Sequence, residues 1–316
     1  MEVSTWSGTE LERAVAAAVR QARTLAVTDP EAANRMLLRG AALHADIGRL
    51  IPEESTRRSP SQQSVYTIKD GRWQSLTYLS MHWQLGRSLL DGIVPRPSAH
   101  AGVRTWYRET SRDLIRLRSI VEAQRHLTRA LQIFPRDGVL LFYSGVVHER
   151  YSSSLIQAGS ESLTEANRGV SAMGTPRAEL NRAERLYREA LVEVPDHVEA
   201  RLRHGRVLGD LGQHDAAVAE LRRAVENGAA DAMLYLARLF LARNYEELGD
   251  YDSARAELER AAALFPRAQT PRLALSHIAR RAGNRAAAQR ELARLAALPE
   301  DERQRDDPWW NYYDLR

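Results

Sequence analysis

The chain has 316 residues, is 44% hydrophobic and contains no cysteine, which excludes a disulfide framework and thiol chemistry. Its formal net charge is only +4 although the isoelectric point is near 9.5, and Lys69 is the single lysine, so the positive charge is almost all arginine. These arginines interleave with Asp and Glu as on solvated helix faces, not as the dense basic run of a nucleic-acid binder, and no apolar run of about 18 residues is present to span a membrane.

Met1-Glu2-Val3 lacks the basic and apolar regions of a signal peptide. The cytoplasm fits, and so does the periplasm if a leader has been removed, so the compartment stays open. Leu11, Val15, Ala18, Val19, Ala22 and Leu25 recur at helical spacing and predict a first amphipathic helix. Asp29-Pro30 ends it and opens the next, because proline suits a first helical turn. Met36, Leu37, Gly40, Ala41, His44, Ile47 and Leu50 line that second helix. The two form an N-terminal helical pair over 1–51, read as a cap or a degenerate repeat.

Residues 52–63 are polar with two prolines and read as a linker. Val65-Tyr66-Thr67-Ile68 and Arg72-Trp73 flank Lys69-Asp70-Gly71, which suits a tight hairpin turn. A helix is expected over 76–90, followed by a loop holding Pro95, Pro97 and Gly102. These elements together make up 52–103.

From there a spacing repeats. Ala123, Leu127, Ala130 and Pro135 are set 4, 3 and 5 apart, as are Ala183, Tyr187, Ala190 and Pro195, and again Ala254, Leu258, Ala261 and Pro266. This resembles the second helix of a tetratricopeptide repeat, a unit of about 34 residues, in which small residues let helices approach and a proline ends the unit. On that resemblance five units span 104–302. They run over 104–137, from 138, over 198–234, over 235–268 and over 269–302. The second contains Gly145 and an insertion at 152–176, read as a surface loop or a binding element. The third contains Gly205, Gly212, Ala217, Leu221 and Ala224, with extra residues near Asn227-Gly228; the fourth has the turn Leu248-Gly249-Asp250-Tyr251; the fifth has Gly283, Ala288 and Leu292. The family often has Trp at the fourth position, where this chain has Tyr107, Leu141, Arg201, Arg238 and Arg272. The fold implied is all-α: a right-handed superhelical solenoid of antiparallel helix pairs with an N-terminal helical cap.

A repeat scaffold of this kind implies a non-enzymatic protein-interaction function, with self-assembly through the C-terminal aromatic segment, and then a nucleic-acid-binding helical repeat, as the alternatives. In the family the first helix of each unit lines a concave groove. Carried over, the ninth position gives Arg112, Val146, Arg206, Arg243 and His277, and the fifth gives Arg108, Phe142, Leu202, Leu239 and Leu273. A row of guanidinium groups beside an apolar row suits an extended, acidic peptide or a free carboxylate, which arginine grips in a fork. An arginine-rich composition alone gives part of the same row. The Lys and Asn set of the family's chaperone-binding carboxylate clamp is absent at these positions, and that ligand is not implied.

The C-terminal segment 303–316 holds Trp309, Trp310, Tyr312 and Tyr313. Aromatics so concentrated belong against protein: either folded back on the fifth unit as a cap, or docked into a partner, a second copy included. Among the nine histidines, His197, His204 and His214 are too widely spaced for a zinc site, and His148-Glu149 lacks a second His four residues from the first. No phosphate loop, nucleophile elbow or dinucleotide fingerprint is present, so neither a metal nor a cofactor is expected.

Overall fold

The computed structural model describes residues 8–48, 101–116, 120–153, 174–228, 230–298 and 306–312. Among these, α-helices alternate with short turns and no strand occurs. The expected linker, hairpin and helix between 52 and 90 lie outside the described residues, as do most of the insertion and Tyr313. The chain divides within one helix into two compact units, Met1–Tyr143 and Ser144–Asp314.

In the first unit, α1 (Gly8–Leu25) and α2 (Pro30–Gly48) pack together. α1 buries the predicted Leu11, Val15, Ala18, Val19 and Ala22, and α2 buries Ala33, Leu37, Ala41 and His44. Asp29 starts α2 by accepting the Ala32 N–H at 3.0 Å, just ahead of Pro30. α2 packs in turn on α3 (Ala101–Arg116), where the Trp106 indole donates to His44 Nδ1 at 3.1 Å. α4 (Ile120–Ile133) follows and brings His126 edge-on to Trp106 and beside Tyr107.

The helix α5 (Gly138–Tyr151) carries the division between the units. In the second unit come α6 (Pro176–Glu193), α7 (Val198–Asp210), α8 (His214–Glu226), α9 (Asp231–Glu247), α10 (Tyr251–Leu264), α11 (Thr270–Arg281) and α12 (Arg285–Ala296), each packed on the next. The small-large-small triples are the core: Ala123/Leu127/Ala130, Ala183/Tyr187/Ala190, Ala217/Leu221/Ala224 and Ala254/Leu258/Ala261 are all at most 1% exposed. The partner surface on the first helix must be correspondingly small. A Cβ on Gly145 would lie 2.5 Å from the Tyr187 ring, and one on Gly205 would lie 2.6 Å from Leu221 Cγ. Ser111, Ala242 and Ser276 take the same place in their own units and are buried too.

The turns inside units three and four share one chemistry. Gly212 and Gly249 have φ of +82° and +79°, a region open to glycine at no steric cost. There they close the preceding helix: Gln213 N–H reaches the Leu208 carbonyl at 2.9 Å and Asp250 N–H reaches that of Tyr245 at 2.8 Å. Asp250 then caps the next helix through Ser253 N–H at 3.0 Å.

The arginines at the fourth position are explained by carboxylates 19 residues on. Arg201 bonds Glu220 at 2.7 Å, Arg238 bonds Glu257 at 2.6 Å, and Arg272 bonds Glu291 at 3.3 Å. Each glutamate also holds an arginine one turn further along its own helix, namely Arg223, Arg260 and Arg294. A charged rung therefore ties the two helices of units three, four and five at the fourth position.

Candidate functional site

The C-terminal segment lies on the second unit's first helices. Pro308–Asn311 forms one 3₁₀ turn, started by Asp307, whose Oδ1 accepts the Trp309 N–H at 3.1 Å. That turn presents two anchors, Asp307 and Tyr312, to two separate sockets.

Among the described residues, the donors to Asp307 from the helices are uncharged. Oδ1 accepts from the Tyr235 hydroxyl at 2.7 Å, and Oδ2 accepts from the Thr270 N–H at 2.9 Å and its hydroxyl at 2.7 Å. Thr270 opens α11, so its backbone N–H belongs to a helix terminus that favours an anion. Tyr235 is itself wedged against Phe265. Burial, and then Asp307, push the Tyr235 phenol far above its ordinary range, so it stays a donor.

The Tyr312 socket is ionic. Glu149 on α5 is fully buried and gathers four side chains. Its Oε2 accepts from Tyr187 at 2.5 Å and Arg203 at 3.2 Å; its Oε1 accepts from Arg206 and from the Tyr312 hydroxyl at 2.6 Å. Arg203 donates from Nη2 to the Tyr312 carbonyl at 3.0 Å and from Nε to Glu199 at 2.8 Å. Both guanidinium groups lie over the Tyr312 ring, at 4.7 Å for Arg203 and 4.6 Å for Arg206. Burial raises the Glu149 pKa, but Arg203, Arg206 and the two phenols outweigh it and hold the carboxyl below the usual glutamate range. Burial also raises the Tyr187 and Tyr312 phenols, and Glu149 adds to this, so both remain protonated donors.

Phe240 joins the sockets, packing edge-on to Tyr312 at 5.3 Å and tilted against Trp309 at 5.8 Å. The ionic line runs on past the segment. Arg206 lies 3.6 Å from Asp210, which pairs with Arg243 at 2.8 Å. One unit further, Glu246 receives His277 at 3.0 Å and Arg281 at 2.9 Å.

The residues expected to line a groove are thus placed as follows. Arg206 stands in the Tyr312 socket; Arg243 and His277 are exposed and paired to carboxylates. Val146 and Leu202 are buried in the second unit, and Leu239 is too, whereas Leu273 is 47% exposed. In the first unit Arg108 grips Asp137 with two nitrogens at 2.8–3.0 Å, Arg112 pairs with Glu109 and Asp113, and Phe142 is buried. Of the aromatic tail, Tyr312 is buried, while Trp309 and Trp310 are 38% and 62% exposed.

Sequence reasoning did not single out Glu149, Arg203, Tyr187, Tyr235, Thr270 or Asp307 as site residues. Glu149 lies on the first helix of its repeat, the helix that the resemblance expects to line a groove, and that was the available signal. Among the described residues no group of three or more His, Asp or Glu side chains is arranged to hold a metal ion, and no helix is long and apolar enough to cross a membrane.

The family model for the tetratricopeptide repeat matches residues 198–227 and 236–267. No curated protein matches the sequence. Among solved structures, MamA (residues 41 to the end) from Desulfovibrio magneticus RS-1 is 22% identical, covering 65% of this chain and 97% of that one at a TM-score of 0.48. MamA MSR-1 is 16% identical, covering 61% and 94% at 0.46. A further MamA crystal structure is 16% identical, covering 61% and 89% at 0.46.

Proposed function

We propose, from the match of the tetratricopeptide-repeat model to residues 198–227 and 236–267, that the protein is a non-enzymatic scaffold whose first helices α5, α7, α9 and α11 bind an acidic protein segment. One observation carries the reading: that face already holds a peptide segment through side chains on all four helices. The bound segment has the chemistry expected of a partner, an aspartate set among donors and an aromatic ring beneath two guanidinium groups. Outside the segment the face continues as Asp210–Arg243 and Glu246–His277–Arg281, accessible to a longer chain.

Nucleic acid fits this face less well. Its arginines are matched by Glu149, Asp210 and Glu246, so it offers no continuous basic track for a phosphate backbone.

The test is capture of partner protein with the wild-type chain and with an Arg243→Glu/Arg281→Glu variant, both positions being exposed enough to preserve the fold. A defined partner retained by the first and lost by the second supports the reading. A partner retained equally by both moves the binding surface off this face. Binding that is unchanged in high salt counts against the charged rim, because exposed pairs are screened over about 8–10 Å.

A further inference from the structure

Taking the scaffold reading as its basis, the geometry points to a self-ligand: residues 306–312 occupy the binding face in cis, and the partner is a protein segment of the same chemistry that must displace them. That chemistry is an aspartate five residues ahead of a tyrosine, with an aromatic side chain between.

Three observations converge on this. First, the segment departs from a simple cap in burying an aspartate and leaving Trp310 mostly exposed. A cap buries its most apolar groups against the array. Here Asp307 and Tyr312 are 5% and 6% exposed, while Trp309 is 38% exposed and Trp310 62%. The buried side chains are Pro308 and the two that carry polar recognition, Asp307 and Tyr312.

Second, the sockets are selective rather than merely adhesive. Asp307 accepts three hydrogen bonds from Tyr235 and Thr270, and these donors have no cation among them. A carboxylate satisfies the set; an amide would turn its own donor toward them. In the other socket Glu149 requires a donor from the occupant, so a tyrosine hydroxyl is accepted and phenylalanine leaves a buried carboxylate oxygen short of one bond. The Arg203 contact to the Tyr312 carbonyl fixes the backbone of the occupant and is indifferent to its side chain. Buried ions of this kind cost desolvation and are weak devices for stability, whereas they discriminate well between ligands.

Third, the occupied surface is the one the scaffold reading assigns to a partner. Glu149, Arg203, Arg206 and Phe240 lie on the first helices of consecutive units, and the ionic line they begin extends past Tyr312 to Asp210 and Arg243. A partner segment longer than the tail gains those further contacts, which the cis segment does not use.

The test uses the full-length chain and a fluorescein-labelled, C-terminally amidated peptide of residues 306–312 (Asp-Asp-Pro-Trp-Trp-Asn-Tyr), read by fluorescence polarisation. An Asp307→Ala/Tyr312→Ala chain, with both anchors removed from its own segment, should bind the peptide about tenfold or more tightly than wild type does. Peptides with Asn for the second Asp, or Phe for the Tyr, should each lose about tenfold on that variant. Circular dichroism checks the fold; should the double variant lose helix, the Tyr312→Phe chain, which keeps the ring, makes the same comparison. Equal affinity for wild type and variant overturns the proposal. So does no binding by either folded chain, or indifference to the peptide substitutions. A concentration-dependent dimer of the wild type that the variant loses in sedimentation would place the segment on a second copy and overturn the cis arrangement. The scaffold reading fails separately, if neither chain retains any protein partner, and the peptide comparison stands regardless of that result.

Discussion

The Tyr312 hydroxyl donates to the Glu149 carboxylate at 2.6 Å across 163 residues of sequence. This bond closes a buried set in which each charge answers another, and it fixes the expected cost of disturbing either member. Tyr312→Phe keeps the ring beneath Arg203 and Arg206 and removes one donor, and should cost about 1–2 kcal/mol. Glu149→Gln leaves two guanidinium groups around a neutral amide and should cost about 3–5 kcal/mol. Denaturant unfolding of the two variants checks the order. A Glu149→Gln chain as stable as wild type would show that the ionic socket contributes no stability.

Two glycines should respond to alanine for different reasons. Gly145→Ala drives a methyl group into the Tyr187 ring, which is itself held by Glu149, and overpacking of this kind costs about 1–3 kcal/mol. Gly212→Ala meets nothing within 4 Å but must adopt φ near +82°, which costs about 1–2 kcal/mol. Tyr187→Leu should relieve the first substitution and leave the second unchanged. A double-mutant cycle measured by thermal unfolding separates them; additivity of Gly145→Ala with Tyr187→Leu would contradict the packing account.

The rungs predict a reciprocal exchange. Arg238 and Glu257 are both mostly shielded from solvent, so Arg238→Ala should cost about 1.5–3 kcal/mol, the range for charged hydrogen bonds. Arg238→Glu alone should cost more, since it faces Glu257, and adding Glu257→Arg should recover part of the loss. Arg260, which already bonds Glu257, limits that recovery. Urea midpoints for the single and paired variants test this, and equal midpoints for all of them would rule out a stabilising rung.

Acid should weaken the first unit through His126. Burial, then the neighbouring His44, lowers its pKa to about 3, the Tyr107 carbonyl only partly opposing this. The unfolded imidazole titrates near 6.5, so the unfolded chain gains a proton that the folded chain refuses. Stability is full above pH 6.5 and falls as the pH drops toward 3. Burial lifts Asp113 to about 6 against Arg112 and Arg116, and this works in the opposite sense from about pH 6 downward. Comparing wild type with His126→Gln isolates the histidine: the stability gap between them should shrink by about 1.6 kcal/mol between pH 6.5 and 5. A gap independent of pH would show that His126 takes its proton in the folded state.

Much of the architecture was legible because its determinants are local. The Ala183/Tyr187/Ala190 spacing and the glycines opposite it encode a close helix–helix contact, and that contact is what the fold contains. The turn at Leu248-Gly249-Asp250 was equally readable, since a positive φ and a helix cap are written in consecutive residues. The rungs were half visible: arginine at the fourth position stands out as a departure, but its glutamate is 19 residues away on another helix. The socket was not visible. Glu149, Arg203 and Tyr312 occur in three distant stretches, and only stacking of the first helices brings them together. Arg203 in particular reads from sequence as one more charge on a solvated helix, yet it is 2% exposed.

The most direct measurement is hydrogen exchange, read by mass spectrometry, on the wild-type chain and on the Asp307→Ala/Tyr312→Ala chain. If residues 306–312 occupy the repeat face, peptides covering Gly138–Tyr151, Val198–Asp210 and Asp231–Glu247 should exchange faster in the variant, while Gly8–Leu25 keeps its wild-type rate. Identical exchange over those three helices in both chains would contradict the account.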